Sequence, residues 1–336
     1  MKKIKVGFIG LGVMGRIHFE TLKLNKNVEI KSLFDVNYDL IEELSKTCNA
    51  KPYKSLEDLL NSGIDAVWVC TPEDTHYGTV KNALDADKHV FVEKTLDRYY
   101  QKAKELTELS KAKNNLLTMV GYPIRFDPNY RKMKEICDKY FEKKIFCWSL
   151  RQQLTTPSTL CYDRYRNDYY YPPRWYFEKK GGGALFSHAS HDYDFLQWCF
   201  GDIVEVQANA GIFLSNGEAP DECSVNLKFE NGAIGVVSTI WTSPIKFNYV
   251  GLVSEQGSIV LPEEKLILKI NKEPETEIRF KEYSMWENED NYFIDCILSS
   301  IIPEPSFDDG LKAVLVATAA LKSFEENKAI KISELK

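Results

Sequence analysis

The segment Gly10-Leu11-Gly12-Val13-Met14-Gly15 constrains this chain more than any other. It follows an apolar run over residues 4–9 and opens a helical pattern over 13–24. A glycine triplet of this spacing carries meaning only in that strand–turn–helix setting. Gly10 permits the tight turn, Gly12 lets a ligand approach the backbone, and Gly15 allows close helix–strand packing. The free N–H groups of the opening helix, Val13 and Met14 among them, then face a pyrophosphate. A second strand over 28–34 ends at Asp35, 20 residues after Gly15. A carboxylate there accepts from both ribose hydroxyls of NAD and repels a 2′-phosphate, so NAD is expected and NADP is the alternative. The competing reading is a plain tight turn with a solvent-facing Asp.

The same alternation continues. Helices are expected over 38–47, 55–60, 76–86 and 98–113, with Ser55 and Asp58 spaced as a capping box. Strands are expected over 65–70, 89–93 and 116–122. Strands separated by helices imply right-handed crossovers and a parallel sheet buried on both faces.

After Tyr122 the pattern changes. A helix is expected over 127–140, a strand over 145–154 and one helix over 184–200. Residues 155–182 are rich in Tyr, Pro and Arg and show no clear period. Strand-like runs then crowd together over 204–212, 223–229, 233–242, 249–254, 259–261, 266–270 and 276–280, with a hairpin signal at Asn231-Gly232. Helices over 287–299 and 307–326 close the chain. The expected architecture is an α/β domain over 1–122, then an α+β domain over 123–336 with a large, mostly antiparallel open sheet. The C-terminal helix is expected to pack back on the first domain.

Composition excludes several classes. The chain has 336 residues, 44% hydrophobic and 27% charged, with 43 Lys+Arg against 49 Asp+Glu and a net charge of −6. That is an ordinary folded composition, without the basic footprint of a nucleic-acid binder. No apolar run approaches the roughly 20 residues of a membrane helix. Lys5 and Arg16 break any secretory-signal reading of the start. The eight cysteines are scattered without a CxxC pair, which fits neither a disulfide framework nor a zinc site. A cytoplasmic protein without nucleic-acid or membrane partners is expected.

Further motifs carry a resemblance. They are Thr71-Pro72-Glu73-Asp74-Thr75-His76, Glu93-Lys94, Gly121 to Pro128, Gly181-Gly182-Gly183-Ala184-Leu185, His191-Asp192-Tyr193-Asp194 and Asp309-Gly310-Leu311. With the glycine loop, they make nearly the whole chain resemble the Gfo/Idh/MocA oxidoreductases, to which glucose–fructose oxidoreductase and inositol dehydrogenase belong. The resemblance implies a Rossmann domain, a second domain with an open sheet, an active site between them, and association through the sheet as a homodimer or homotetramer. It places Thr71, Pro72, His76, Glu93 and Lys94 beside the cofactor; a surface histidine at a helix start is the other reading of His76. Two departures stand out. Thr95 replaces the proline usual after Glu-Lys, and Ser187 stands where inositol dehydrogenases carry Asp four residues before His191.

Chemistry narrows the roles. Hydride transfer from a secondary alcohol needs a proton acceptor and positive charge near the developing alkoxide. Lys94 ends a parallel strand, where open α/β sheets place ligands; a structural ion pair is the competing role. His191 has a side chain that titrates near neutrality. On an unbroken helix Ser187, His191 and Asp194 share one face, so Asp194 and Ser187 are supporting residues. His188, Arg125, Arg174, Trp175 and Tyr176 are candidate substrate contacts. The last three belong to a run with six aromatics in the nine residues 169–177, for which packing is the competing reading. No third ligand joins His188 and His191, so no metal is expected. The expected activity is an NAD(P)-dependent dehydrogenase acting on a ring hydroxyl of a sugar, sugar derivative or cyclic polyol. Ser187 keeps open a catalytically silent NAD-binding regulator, and a glycosidase using transient NAD oxidation is a third reading.

Overall fold

A computed structural model describes residues 3–156, 159–163, 168–172, 174–213, 216–263, 265–281 and 283–336. Of the 155–182 stretch, residues 157–158, 164–167 and 173 lie outside it, as do the side chains of 161–163 and 168–170. The chain forms two compact units. One draws on Met1–Pro123, Tyr162–Asp168 and Ser284–Leu311, the other on Ile124–Cys161, Tyr169–Tyr283 and Lys312–Lys336.

The first unit alternates β1 (Ile4–Ile9), α1 (Val13–Lys23), β2 (Val28–Phe34), α2 (Tyr38–Cys48), β3 (Lys51–Pro52), α3 (Leu56–Leu60), β4 (Ala66–Val69), α4 (His76–Asp85), β5 (His89–Glu93), α5 (Tyr100–Ala112) and β6 (Thr118–Gly121). Its six strands are ordered β3-β2-β1-β4-β5-β6, and each neighbouring pair is parallel. This is the doubly wound dinucleotide-binding order. All four residues of β4 are buried, as a strand covered on both faces requires. Ser55 caps α3 by accepting from the Asp58 N–H at 3.0 Å, as its spacing indicated.

After β6 the chain forms α6 (Pro128–Tyr140), β7 (Lys144–Gln152), the ribbon strands β8 (Cys161–Asp163) and β9 (Asp168–Tyr170), α7 (Gly183–Ser187), α8 (Ala189–Phe200), β10 (Ile203–Gly211), β11 (Glu222–Phe229), β12 (Ile234–Ile240), β13 (Phe247–Ser254), β14 (Gly257–Pro262), β15 (Lys265–Ile270) and β16 (Thr276–Arg279). The chain closes with α9 (Met285–Ser299) in the first unit, then α10 (Phe307–Glu326) and β17 (Ile330–Lys331). The large sheet has nine strands in the order β16-β15-β14-β13-β7-β12-β11-β10-β17. Among its described ladders only β7–β12 is parallel. Val225, Leu227 and Phe229 of β11 are buried while Asn226 and Lys228 are exposed, the alternation of a sheet covered on one face.

Two findings differ from the sequence expectation. Residues 123–336 do not form one continuous domain, because α9 completes the first unit. Phe293 of α9 meets Trp68 edge-on at 5.4 Å, and Trp68 stacks on Phe91 at 5.5 Å. The helix expected over 184–200 is also two helices, broken at His188. The break puts Ser187 on α7 and His191 and Asp194 on α8, so the one-face spacing drawn from an unbroken helix does not apply to Ser187.

Candidate active site

In the first unit, the glycine loop has the shape its spacing indicated. Gly10 has φ +87°, and a β-carbon there would lie 2.8 Å from the Cys70 backbone. A β-carbon on Gly15 would lie 2.1 Å from the Gly10 carbonyl oxygen, whereas one on Gly12 would meet nothing within 4 Å. The space over Gly12 is therefore open to a ligand. Gly12 is also the N-cap of α1 and gives no side-chain cap, which leaves the first-turn N–H groups directed to an anion. Asp35 accepts from the Leu11 N–H at 2.6 Å and from the Asn37 N–H at 2.8 Å. One carboxylate thus fixes the loop and keeps acceptor capacity for ribose hydroxyls. These residues fit a dinucleotide.

Lys94 follows β5, and the Lys94–Thr95 peptide bond is cis. Its Nζ lies 3.2 Å from Oε1 of Glu73, with the two side chains 11% and 3% exposed. Glu93 and His76, grouped with the cofactor contacts, are braces in this structure. The Glu93 carboxylate meets His18 Nε2 at 2.9 Å and the Lys94 N–H at 3.1 Å. His76 is wholly buried, which removes the surface reading. Its ring meets the Thr95 carbonyl at 2.7 Å and the Thr71 carbonyl at 2.9 Å, tying together the loops after β4 and β5.

Sequence reasoning missed the network beneath Glu93. His18 Nδ1 meets Asp290 at 2.8 Å, and the same carboxylate accepts from the Trp68 indole at 2.8 Å and from Thr21. Burial pulls the His18 pKa down, but Asp290 and Glu93 outweigh it and hold the value well above the ordinary one. No local signal joins residues this far apart in sequence.

In the second unit, Arg125 is 4% exposed and donates to both oxygens of Asp194, at 2.8 Å from Nε and 2.7 Å from Nη2. The surface ion-pair reading of Arg125 therefore fails: the pair it makes with Asp194 is buried. The Asp194 carboxylate, expected to hold the His191 imidazole, is clamped by the Arg125 fork. The neighbouring Asp192, also missed, accepts from Ser149 at 2.8 Å and Arg151 at 3.0 Å. His188 accepts the Trp241 indole N–H at Nδ1, and the Gln153 amide lies 3.2 Å from its Nε2. Trp175 meets Tyr176 edge-on at 4.4 Å, and Tyr176 stacks near Trp241 at 6.3 Å. These two rings take part in packing, while Arg174 is exposed.

Comparison with known proteins agrees with this architecture. Residues 4–122 match the family model described as oxidoreductase family, NAD-binding Rossmann fold, and residues 158–260 match the GFO/IDH/MocA C-terminal domain. The chain belongs to the GFO/IDH/MocA oxidoreductase family. It is 27% identical to myo-inositol 2-dehydrogenase of Thermotoga maritima over 99% of both chains. It is 25% identical to scyllo-inositol 2-dehydrogenase (NAD(+)) of Bacillus subtilis over 98% of this chain and 96% of that one. Levoglucosan dehydrogenase, solved with NADH and L-sorbose, shares the fold at a TM-score of 0.87 and 20% identity over 99% of both chains. The protein is an NAD-dependent dehydrogenase acting on CH–OH groups.

Proposed function

We propose that the protein oxidises a ring hydroxyl of a cyclic polyol or sugar derivative to a ketone, and catalyses the reverse. The observation that carries this reading is Lys94, held almost out of solvent at the carboxyl end of β5, the edge where open α/β sheets bind ligands. The inositol dehydrogenases among its relatives support the substrate class. Bound NAD supplies the hydride acceptor. Gly10, Gly12, Gly15, Val13 and Met14 form the pyrophosphate cradle, and Asp35 takes the ribose hydroxyls. The Lys94 ammonium stabilises negative charge on the substrate oxygen. As the C–H bond gives up its hydride, the O–H proton passes to His191 and the C=O bond forms.

The reading includes a cytoplasmic homo-oligomer. Every described cysteine outside 161 is a free thiol, in keeping with a reducing compartment. On the large sheet Phe146, Trp148 and Tyr249 are only half-buried and form one aromatic cluster, which supports association through that face. Inositols, monosaccharides and sugar derivatives should be screened for NADH formation, with light scattering for the mass. Turnover of a cyclic polyol or sugar is expected. A panel that leaves NAD unreduced would favour the silent regulator, and a monomer would remove the assembly.

A further inference from the structure

Resting on that reading of Lys94, we infer that Glu73 is a positioning residue, a buried counter-charge that holds the Lys94 ammonium in place and restricts it to charge stabilisation. The two groups come from adjacent strand ends. β4 and β5 pair in register as far as Val69 and Val92. Beyond β4 the chain turns through Thr71-Pro72, and Glu73 opens a short 3-10 turn over Glu73–Thr75. Its side chain reaches Lys94 at 3.2 Å.

Three features separate this contact from an incidental surface pair. Both side chains are nearly withdrawn from water, at 11% and 3% exposure, so neither charge is screened as an exposed pair would be. Glu73 Oε2 is buried and has no hydrogen-bond partner among the described residues, so Lys94 is the cation that compensates this carboxylate. Removing the Lys94 charge leaves the Glu73 carboxylate buried without that cation. The neighbouring groups are also committed elsewhere. Glu93 is turned to His18 and to the Lys94 backbone N–H. The His76 ring lies against the Thr95 and Thr71 carbonyls.

The chemical consequence follows from charge. A carboxylate beside an amine favours its protonated form. A lysine kept as an ammonium steadies a developing alkoxide and is a poor proton acceptor. Glu73 therefore divides the labour: Lys94 supplies charge, and the hydroxyl proton goes to a different group.

The test uses the full-length protein with isotope-labelled lysine. The Lys94 Cε resonance is followed by NMR against pH and assigned by its loss in Lys94→Arg. In Glu73→Gln the titration midpoint should fall by about one pH unit or more, the shift that an opposite neighbouring charge typically produces. Glu73→Asp should restore most of it. A midpoint unchanged in Glu73→Gln, with NADH binding intact, would overturn the inference. If Glu73→Gln does not fold, the comparison is made in the equally neutral Glu73→Asn, where an unchanged midpoint overturns the inference and a lowered one supports it. This measurement needs no substrate, so it stands apart from the proposed reaction. Where a substrate is turned over, the alkaline limb of kcat/KM should move down in Glu73→Gln without a change in cofactor affinity.

Discussion

The indole N–H of Trp241 donates to Nδ1 of His188 at 2.6 Å. Tryptophan has no acceptor to offer, so His188 Nδ1 carries no proton and the ring is neutral with its hydrogen on Nε2. Nitrogen NMR at neutral pH should show that single tautomer. Trp241→Phe should release a mixture of tautomers and cost about 0.5–1.5 kcal/mol of stability. A doubly protonated His188 in the wild type would contradict the arrangement.

Two glycines of one loop should respond differently to the same methyl group. A β-carbon on Gly15 collides with the Gly10 carbonyl at 2.1 Å, while one on Gly12 meets nothing within 4 Å. Gly15→Ala should therefore lower thermal stability and NADH affinity together. Gly12→Ala should leave the melting temperature near wild type yet weaken NADH by about tenfold or more, since a methyl blocks the backbone's approach to pyrophosphate. Calorimetry and fluorescence titration separate the cases; unchanged NADH affinity in Gly12→Ala would be the adverse result.

His18 should give stability a particular pH dependence. Its pKa is raised in the folded state because Asp290 and Glu93 overcome the opposing effect of burial. A raised folded value means that its stabilisation is complete below the unfolded value of about 6.5 and is lost as pH rises through the folded value. Urea unfolding at rising pH above neutrality should show a decline that His18→Gln lacks, with a slope approaching about 1.4 kcal/mol per pH unit. Parallel curves for the two proteins would exclude it.

Catalysis should separate from cofactor binding. Lys94→Ala should lower kcat by about 10²–10³, the usual loss for one charge-stabilising donor, with NADH affinity retained. His191→Ala should lose about 10²–10⁴ through acid–base help. Wild-type turnover by both variants would refute the assignment. Ser187 is buried at 1% exposure, so Ser187→Asp tests its space: a sharply raised KM at constant cofactor affinity would show that the site excludes a second negative charge there.

Much of the first unit was legible in sequence because its signals are local. The strands over 4–9, 28–34 and 89–93 are bounded by glycine, Asp35 and Lys94, and the structure starts and ends them at those residues. The two-residue edge strands β3 and β17 carry no period to detect. At the break, His188 meets Trp241, 53 residues along the chain, and helical periodicity contains nothing of such a partner. Glu73 was quoted within its motif, but only the fold reveals that its carboxylate, rather than that of Glu93 next door, reaches the Lys94 amine.

The placement of α9 bears on how this chain comes into being. Asp290 and Phe293 finish a core that begins with β1 and α1, so the segment translated first is among the last to be complete. While the ribosome makes eight strands of the large sheet, residues 4–122 wait with Trp68 and His18 lacking their final partners. A gene cut after the sixth parallel strand would supply every glycine of the nucleotide loop and still yield a protein without its floor.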